Sequence, residues 1–282
     1  MSIRHSLIGL SALVLTASIS ACGSNPTAES TSPGRESPPP ETAAGAQAGA
    51  CPTTPVDVVV SVDQWGDIVS ELGGACATVK TVLASSSVDP HDYEPSPADA
   101  ASFTGAKLIV LNGADYDHWA SDLAATSAPA APVVSAAAVT QTEDGANPHL
   151  WYSPSAVTAV ADAVSAELAK IDPEAAGYFS ERRAAFATTM QPYSTLIEKI
   201  KAGATGKSYA ATESVFDYSA EALGLINKTP QGYQQAAANE SEPAPADIQA
   251  FRKALANKQI DVLIYNTQTE GSIPQQIRAA AE

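Results

Sequence analysis

From residue 56 onward the chain alternates short runs of β-branched residues with longer runs of helical period, and one long stretch interrupts the alternation. Residues 56–60 read as a buried strand, 64–72 as a helix closed by Gly73-Gly74, and 79–83 as a second strand. A short helix over 98–103, a third strand over 107–111, a turn at Asn112-Gly113 and a helix over 118–124 follow. Residues 133–136 read as a fourth strand that leads into an acidic loop. Ser153-Pro154 then opens a helix through Lys170, with proline in the first turn, where its missing N–H does no harm.

Asp172-Pro173-Glu174 starts a second helical run to about Lys201, interrupted only by Pro192, where a kink is expected. At 1.5 Å per residue that run spans about 40 Å, long for a crossover and suited to a strut. After it the alternation restarts. A strand over 208–212, a helix over 215–223 and a strand over 225–229 precede a polar loop that runs through Glu242. A helix over 243–257, a strand over 260–265 and a final helix from about Ile273 complete the chain. The expected fold class is α/β, with two βα lobes of mainly parallel sheets joined by a long connecting helix. The expected boundaries are 51–172 for the first lobe, 173–203 for the helix and 204–282 for the second lobe.

The first fifty residues follow different rules. Arg4 and His5 precede an apolar run over 7–15, too short to span a bilayer, and then Ile19-Ser20-Ala21-Cys22. This pattern reads as a secretory signal over 1–21, and the Cys after Ser-Ala resembles a bacterial lipobox. It implies cleavage before Cys22, acylation there, and a protein held on the extracytoplasmic face of the cell membrane by lipid. A plain signal peptide with an incidental Cys is the alternative. Residues 22–50, rich in Ser, Thr, Pro, Gly, Ala and Glu, bury too little to offset ordering entropy and read as a lipidated, disordered tether.

Two further cysteines, Cys51 and Cys76, each precede a strand-like run. In an exported protein a single disulfide between them is the simplest arrangement, reasonable if the two strands are parallel neighbours. A metal-binding thiol pair is the alternative, although it lacks close spacing. The net charge of −16 over 282 residues argues against nucleic acid, whose binders cluster Lys and Arg. It is compatible with a cationic ligand, and equally with solubility alone.

Chemistry concentrates in four places. Pro90, Pro95 and Pro97 stiffen a loop that carries His91, beyond the carboxyl end of a strand, where open α/β sheets bind ligands. Asn147-Pro148-His149 repeats the Pro-His pairing ahead of a helix. Glu213 stands at the end of a strand in the second lobe, and Asn266 directly follows another. Four polar residues, two from each lobe, are thus expected to face one interlobe cleft.

The sequence resembles the metal-binding solute receptors of ABC importers, called cluster A-I or cluster 9 receptors. The matching stretches are Asp89-Pro90-His91 with 93–99, Asn112-Gly113 with Trp119, and Pro148-His149-Leu150-Trp151. Asp172-Pro173-Glu174, Tyr218 with Gly224-Leu225, and Glu242-Pro243-Ala244-Pro245 continue the match in order over about residues 55–281. The resemblance implies a monomeric receptor that captures one Zn²⁺ or Mn²⁺ between its lobes and hands it to an ABC permease. By the same resemblance His91 and His149 are the first-lobe ligands and Glu213 the third. Asn266 lies near the position where the family has Asp, with Glu270 or water as alternatives. The family's second lobe continues with another strand and helix, and the His-rich loop of zinc-specific members is missing, with only His118 between the ligand histidines.

Imidazole suits Zn²⁺ and Mn²⁺ alike, and a carboxylate accommodates the harder Mn²⁺, whereas Ca²⁺ needs more oxygen donors. Two other functions use the same residues. A surface adhesin with a structural metal is one. A zinc hydrolase with a His₂Glu set is the other, but the sequence contains no His-Glu-x-x-His.

Overall fold

The computed structural model describes residues 49–85, 88–239, 241–267 and 271–282. The signal segment, Cys22, most of the tether and Glu270 lie outside the described residues.

Strand β1 (Val56–Val62) is buried at every position except Asp57, as expected for a strand covered on both faces. Helix α1 (Asp63–Gly73) returns the chain to β2 (Ala77–Leu83), and helix α2 (Pro97–Phe103) leads to β3 (Leu108–Leu111). Helix α3 (His118–Ser127) precedes β4 (Val133–Ser135). The four strands form one parallel sheet in the order β2-β1-β3-β4. Around it lies the larger core, in which Trp65, Phe103, Leu108, Ile109, Leu168 and Phe179 are sealed from solvent.

Helix α4 (Ala136–Thr140) follows β4 directly and replaces part of the acidic loop expected there. The Ser135 hydroxyl caps it by accepting the Ala138 N–H at 3.3 Å, and three successive alanines then cost little to wind. Helix α5 (Pro154–Ile171) begins at Ser153, whose hydroxyl caps the Ala156 N–H. Helix α6 (Ala176–Ala204) follows and runs through Pro192 as a single element. Its first half packs on the larger core through Phe179 and Phe186, and its second half leaves Tyr193, Leu196 and Ile200 exposed. The Arg182 and Arg183 guanidinium groups pin it to Glu71 and Asp162 at 2.7 and 2.8 Å.

Past α6, β5 (Ser208–Ala211), helix α7 (Asp217–Ala222), β6 (Ile226–Asn227), helix α8 (Gln231–Ala238), helix α9 (Pro245–Ala256), β7 (Val262–Ile264) and helix α10 (Ser272–Ala281) build a second parallel sheet. Its strand order is β6-β5-β7. Two expectations fail here. The polar run before Glu242 contains helix α8, because Gln and Ala wind well and Tyr233 supplies one buried anchor against Phe251 at 4.9 Å. The expected strand over 225–229 shrinks to two exposed residues on the sheet edge. The architecture is two βα lobes with parallel sheets, with α6 between them in the chain. Among the described residues no helix is long and apolar enough to cross a membrane.

Cys51 and Cys76 form a disulfide, with their Cα atoms 5.0 Å apart, at the amino ends of the paired strands β1 and β2. Closing a loop with a sequence separation of 25 removes chain entropy from the unfolded state. Replacing both cysteines with serine is expected to lower unfolding stability by about 3 kcal/mol, read from denaturant midpoints of the two proteins.

Candidate metal centre

The loops that leave the carboxyl ends of both sheets converge on one cavity of about 510 Å³, which His91, Tyr116, His149, Glu213 and Asn266 all line. Each side chain is brought there by local chemistry. The Asp89 carboxylate accepts the His91 N–H at 3.0 Å, which turns the chain after β2. Downstream, Ser96 and Asp99 form a reciprocal capping box at the start of α2, and the Tyr93 hydroxyl donates to Asp99 at 2.8 Å. The prolines and this clamp together hold the His91 loop.

The His149 loop is fixed from below. Asp117, fully buried, accepts the N–H groups of Asn112 and Gly113 at 2.8 Å each and the Ser61 hydroxyl at 2.5 Å. Burial pushes its carboxyl upward, and these donors counter the push. Asn112 in turn accepts the Trp65 indole N–H at 3.0 Å and donates its amide to the Pro148 carbonyl at 2.9 Å. The end of β3 is thereby tied to the residue preceding His149. Gly113, at φ +77°, is required here, because a Cβ would come within 2.6 Å of the Ser135 hydroxyl.

His149 is buried, and its Nδ1 lies 2.6 Å from Asn147 Oδ1. An amide oxygen only accepts, so Nδ1 carries the proton and the lone pair stays on Nε2. That nitrogen stands 3.7 Å from Glu213 Oε1. Burial depresses the His149 pKa to about 4, with the His91 ring pushing it the same way and the carboxylates of Glu213 and Asp89 opposing. Near neutral pH the imidazole is therefore neutral, with its lone pair available.

Tyr116 sits between the two imidazoles, edge-on to His91 at 4.8 Å and to His149 at 6.1 Å. Its phenol is held well above the usual range by burial and then by the charges of Asp89, Asp63, Asp117 and Glu213. Of these causes the carboxylate charges, unlike the burial, also favour a cation in the cavity. On the opposite side, the Asn266 amide nitrogen donates to Glu213 Oε2 at 2.7 Å. The group Asn266 turns toward the carboxylate is thus a donor, which orients Glu213. Among the described residues, no three His, Cys, Asp or Glu side chains are gathered closely enough to hold a metal ion.

Residues 58–282 match the family described as zinc-uptake complex component A, periplasmic (ZnuA). The chain belongs to this family. It is 22% identical over 175 residues to the manganese-binding lipoprotein MntA of Halalkalibacterium halodurans, a match covering 60% of this chain and 58% of the relative. It is also 22% identical over 203 residues to the high-affinity zinc uptake system protein ZnuA of Bacillus subtilis, covering 65% and 62%. The chain thus spans about three-fifths of the length of these curated relatives. The fold is similar to that of the solute-binding protein FpvC from Pseudomonas aeruginosa, solved with Ni²⁺, at a TM-score of 0.67 and 21% identity over 81% of this chain and 84% of that one.

In this ZnuA-family chain, several residues that shape the cavity differ in how far sequence motifs announce them. Asn147 carries a visible signal, an amide two positions ahead of a histidine, where an Asx-type turn forms. Asp117 and Tyr116 carry none, since their roles depend on the packing of β1, β3 and the His149 loop. The depressed His149 pKa makes stability pH-dependent. Below the free-imidazole value of 6.5 the unfolded chain takes up a proton that the folded chain refuses down to about pH 4. The metal-free protein is therefore expected to lose stability relative to His149→Gln as pH falls through that window, with no such difference developing above it. Thermal melts of both proteins across the pH series check this.

Proposed function

We propose that this chain is an extracytoplasmic solute-binding lipoprotein that captures one divalent transition-metal ion, zinc or manganese, and delivers it to an ABC permease. The observation that carries the proposal is the pairing of His149 Nε2 with Glu213 Oε1 across 3.7 Å at the meeting of the two lobes. That gap is wide for a hydrogen bond. A cation held tetrahedrally at about 2.1 Å by a ring nitrogen and a carboxylate oxygen would separate those donors by about 3.4 Å. The two atoms thus stand close to the spacing of shared ligands.

In this reading His91 completes the donor set from across the cavity, and Asn266, the fourth expected position, holds the Glu213 carboxylate. Lobe assignments of 51–172 and 204–282 around the helix at 173–203 belong to the same proposal. The first residues supply the anchor, through acylation of Cys22, and the protein works as a monomer. The curated relatives are named for zinc and manganese, and the similar structure holds nickel, so kinship leaves the cargo to the donor set. Mixed nitrogen and oxygen sites favour Zn²⁺ over Mn²⁺ in free competition, so supply in the envelope decides which ion is carried. Binding and release need no bond-making chemistry, and the chain is read as a non-enzyme.

Equilibrium binding with elemental analysis tests the proposal. One Zn²⁺ or Mn²⁺ per chain is expected. His91→Ala is expected to weaken binding by more than the roughly 10–100-fold that loss of an outer-shell partner costs. A purified chain that retains no divalent metal overturns the receptor reading.

A further inference from the structure

Asn147 belongs to the His149 loop, yet two of its hydrogen bonds reach the second lobe. Its side-chain oxygen accepts from His149 Nδ1 at 2.6 Å and from the His149 N–H at 3.1 Å. Its side-chain nitrogen donates to the Ser214 carbonyl at 2.8 Å. Its own backbone carbonyl accepts the Tyr218 hydroxyl at 2.7 Å. Ser214 is the neighbour of Glu213 in the chain. One carboxamide therefore connects the residue that orients the imidazole with the segment that carries the carboxylate.

We infer that Asn147 is a latch between the lobes, which commits the His149 lone pair to the cation site only while the second lobe is docked. The inference rests on the metal-capture reading above. When the lobes are docked, both ends of the carboxamide are satisfied, so the amide cannot rotate without losing a partner. Its oxygen is then held on Nδ1, and Nε2 faces Glu213. When the lobes part, the bonds to Ser214 and Tyr218 break together with the approach of Glu213. The carboxamide is then free to turn, and the imidazole loses the acceptor that fixes its tautomer. Cation affinity and lobe docking are thereby coupled through a single side chain, by differential contacts in the two states.

Only an amide can do this. A carboxylate accepts from Nδ1 but has no hydrogen to offer the Ser214 carbonyl, so Asn147→Asp separates the two roles. Alanine removes both. Tyr218→Phe deletes one interlobe bond while leaving the His149 contact intact.

The test uses the whole mature chain with Zn²⁺ as the probe, reading affinity by competition with a chromophoric chelator and release by rapid capture with excess chelator. Asn147→Asp is expected to speed release about tenfold, and Asn147→Ala to weaken binding by a further factor of about ten. Tyr218→Phe is expected to speed release about threefold in the wild-type background and less in Asn147→Asp, because both bonds span one gap. If Asn147 merely oriented the imidazole, Asn147→Asp would hold Zn²⁺ at least as tightly as wild type, with unchanged release. That result, or fully additive effects with Tyr218→Phe, overturns the latch while metal capture stands. Failure of the wild-type chain to bind Zn²⁺ or Mn²⁺ overturns metal capture and the latch together.

Discussion

An uncharged imidazole kept from water has to have its one proton placed, because a ring nitrogen that carries hydrogen cannot bind a cation. In this chain the placement is made by the Asn147 amide, and the bare nitrogen is left facing Glu213. The surrounding structure holds that geometry in place. The parallel sheets bring their carboxyl ends to a common cavity, and the loops after β2, β4, β5 and β7 deliver the side chains. Asp117 and Asn112 transmit the position of the first sheet to the Pro148 carbonyl, one residue from the imidazole. Such buried networks hold a site in register because each member left unpaired would cost the full desolvation of its polar group.

The two lobes contribute unequally. The first has a continuous core around its sheet, strengthened by a disulfide and by the first half of α6. In the second, smaller clusters around Tyr233 and around Tyr209 do the same work with fewer large side chains. The two are bridged near the cavity by polar contacts, Asn147 to Ser214, Tyr218 to Asn147 and Ser219 to the Tyr152 carbonyl at 2.6 Å, and by apolar ones, with Tyr152 edge-on to Phe216 at 6.1 Å and Tyr218 against the larger core. Hydrogen bonds of this kind contribute modest net stability and can exchange with water.

Family membership and local chemistry complement one another. The family match places the chain among the periplasmic zinc-uptake components, and the curated relatives are named for different metals. What the structure adds is local: an Nε2 left bare by the Asn147 contact, a carboxylate turned by Asn266, and the charges of Asp89 and Asp63 beside Tyr116.

Much of this was legible in the chain itself. Strand-helix alternation, the proline-stiffened loop at His91, the Pro-His pair at 148–149 and the cysteines ahead of two strands all express local rules, in which periodicity, fixed φ and spacing carry the information. Where local rules conflict with one another, the reading failed. Polarity hid helix α8, whose single buried tyrosine is meaningful only against Phe251 on another helix, and three alanines after β4 were too bland to signal α4. Which carboxylate is buried beneath the loop and how near Glu213 comes to the imidazole were decided by tertiary structure alone. The Asp117 network joins residues 56 positions apart and the approach of His149 to Glu213 joins two separate sheets, and distances of that kind have no periodicity in sequence to announce them.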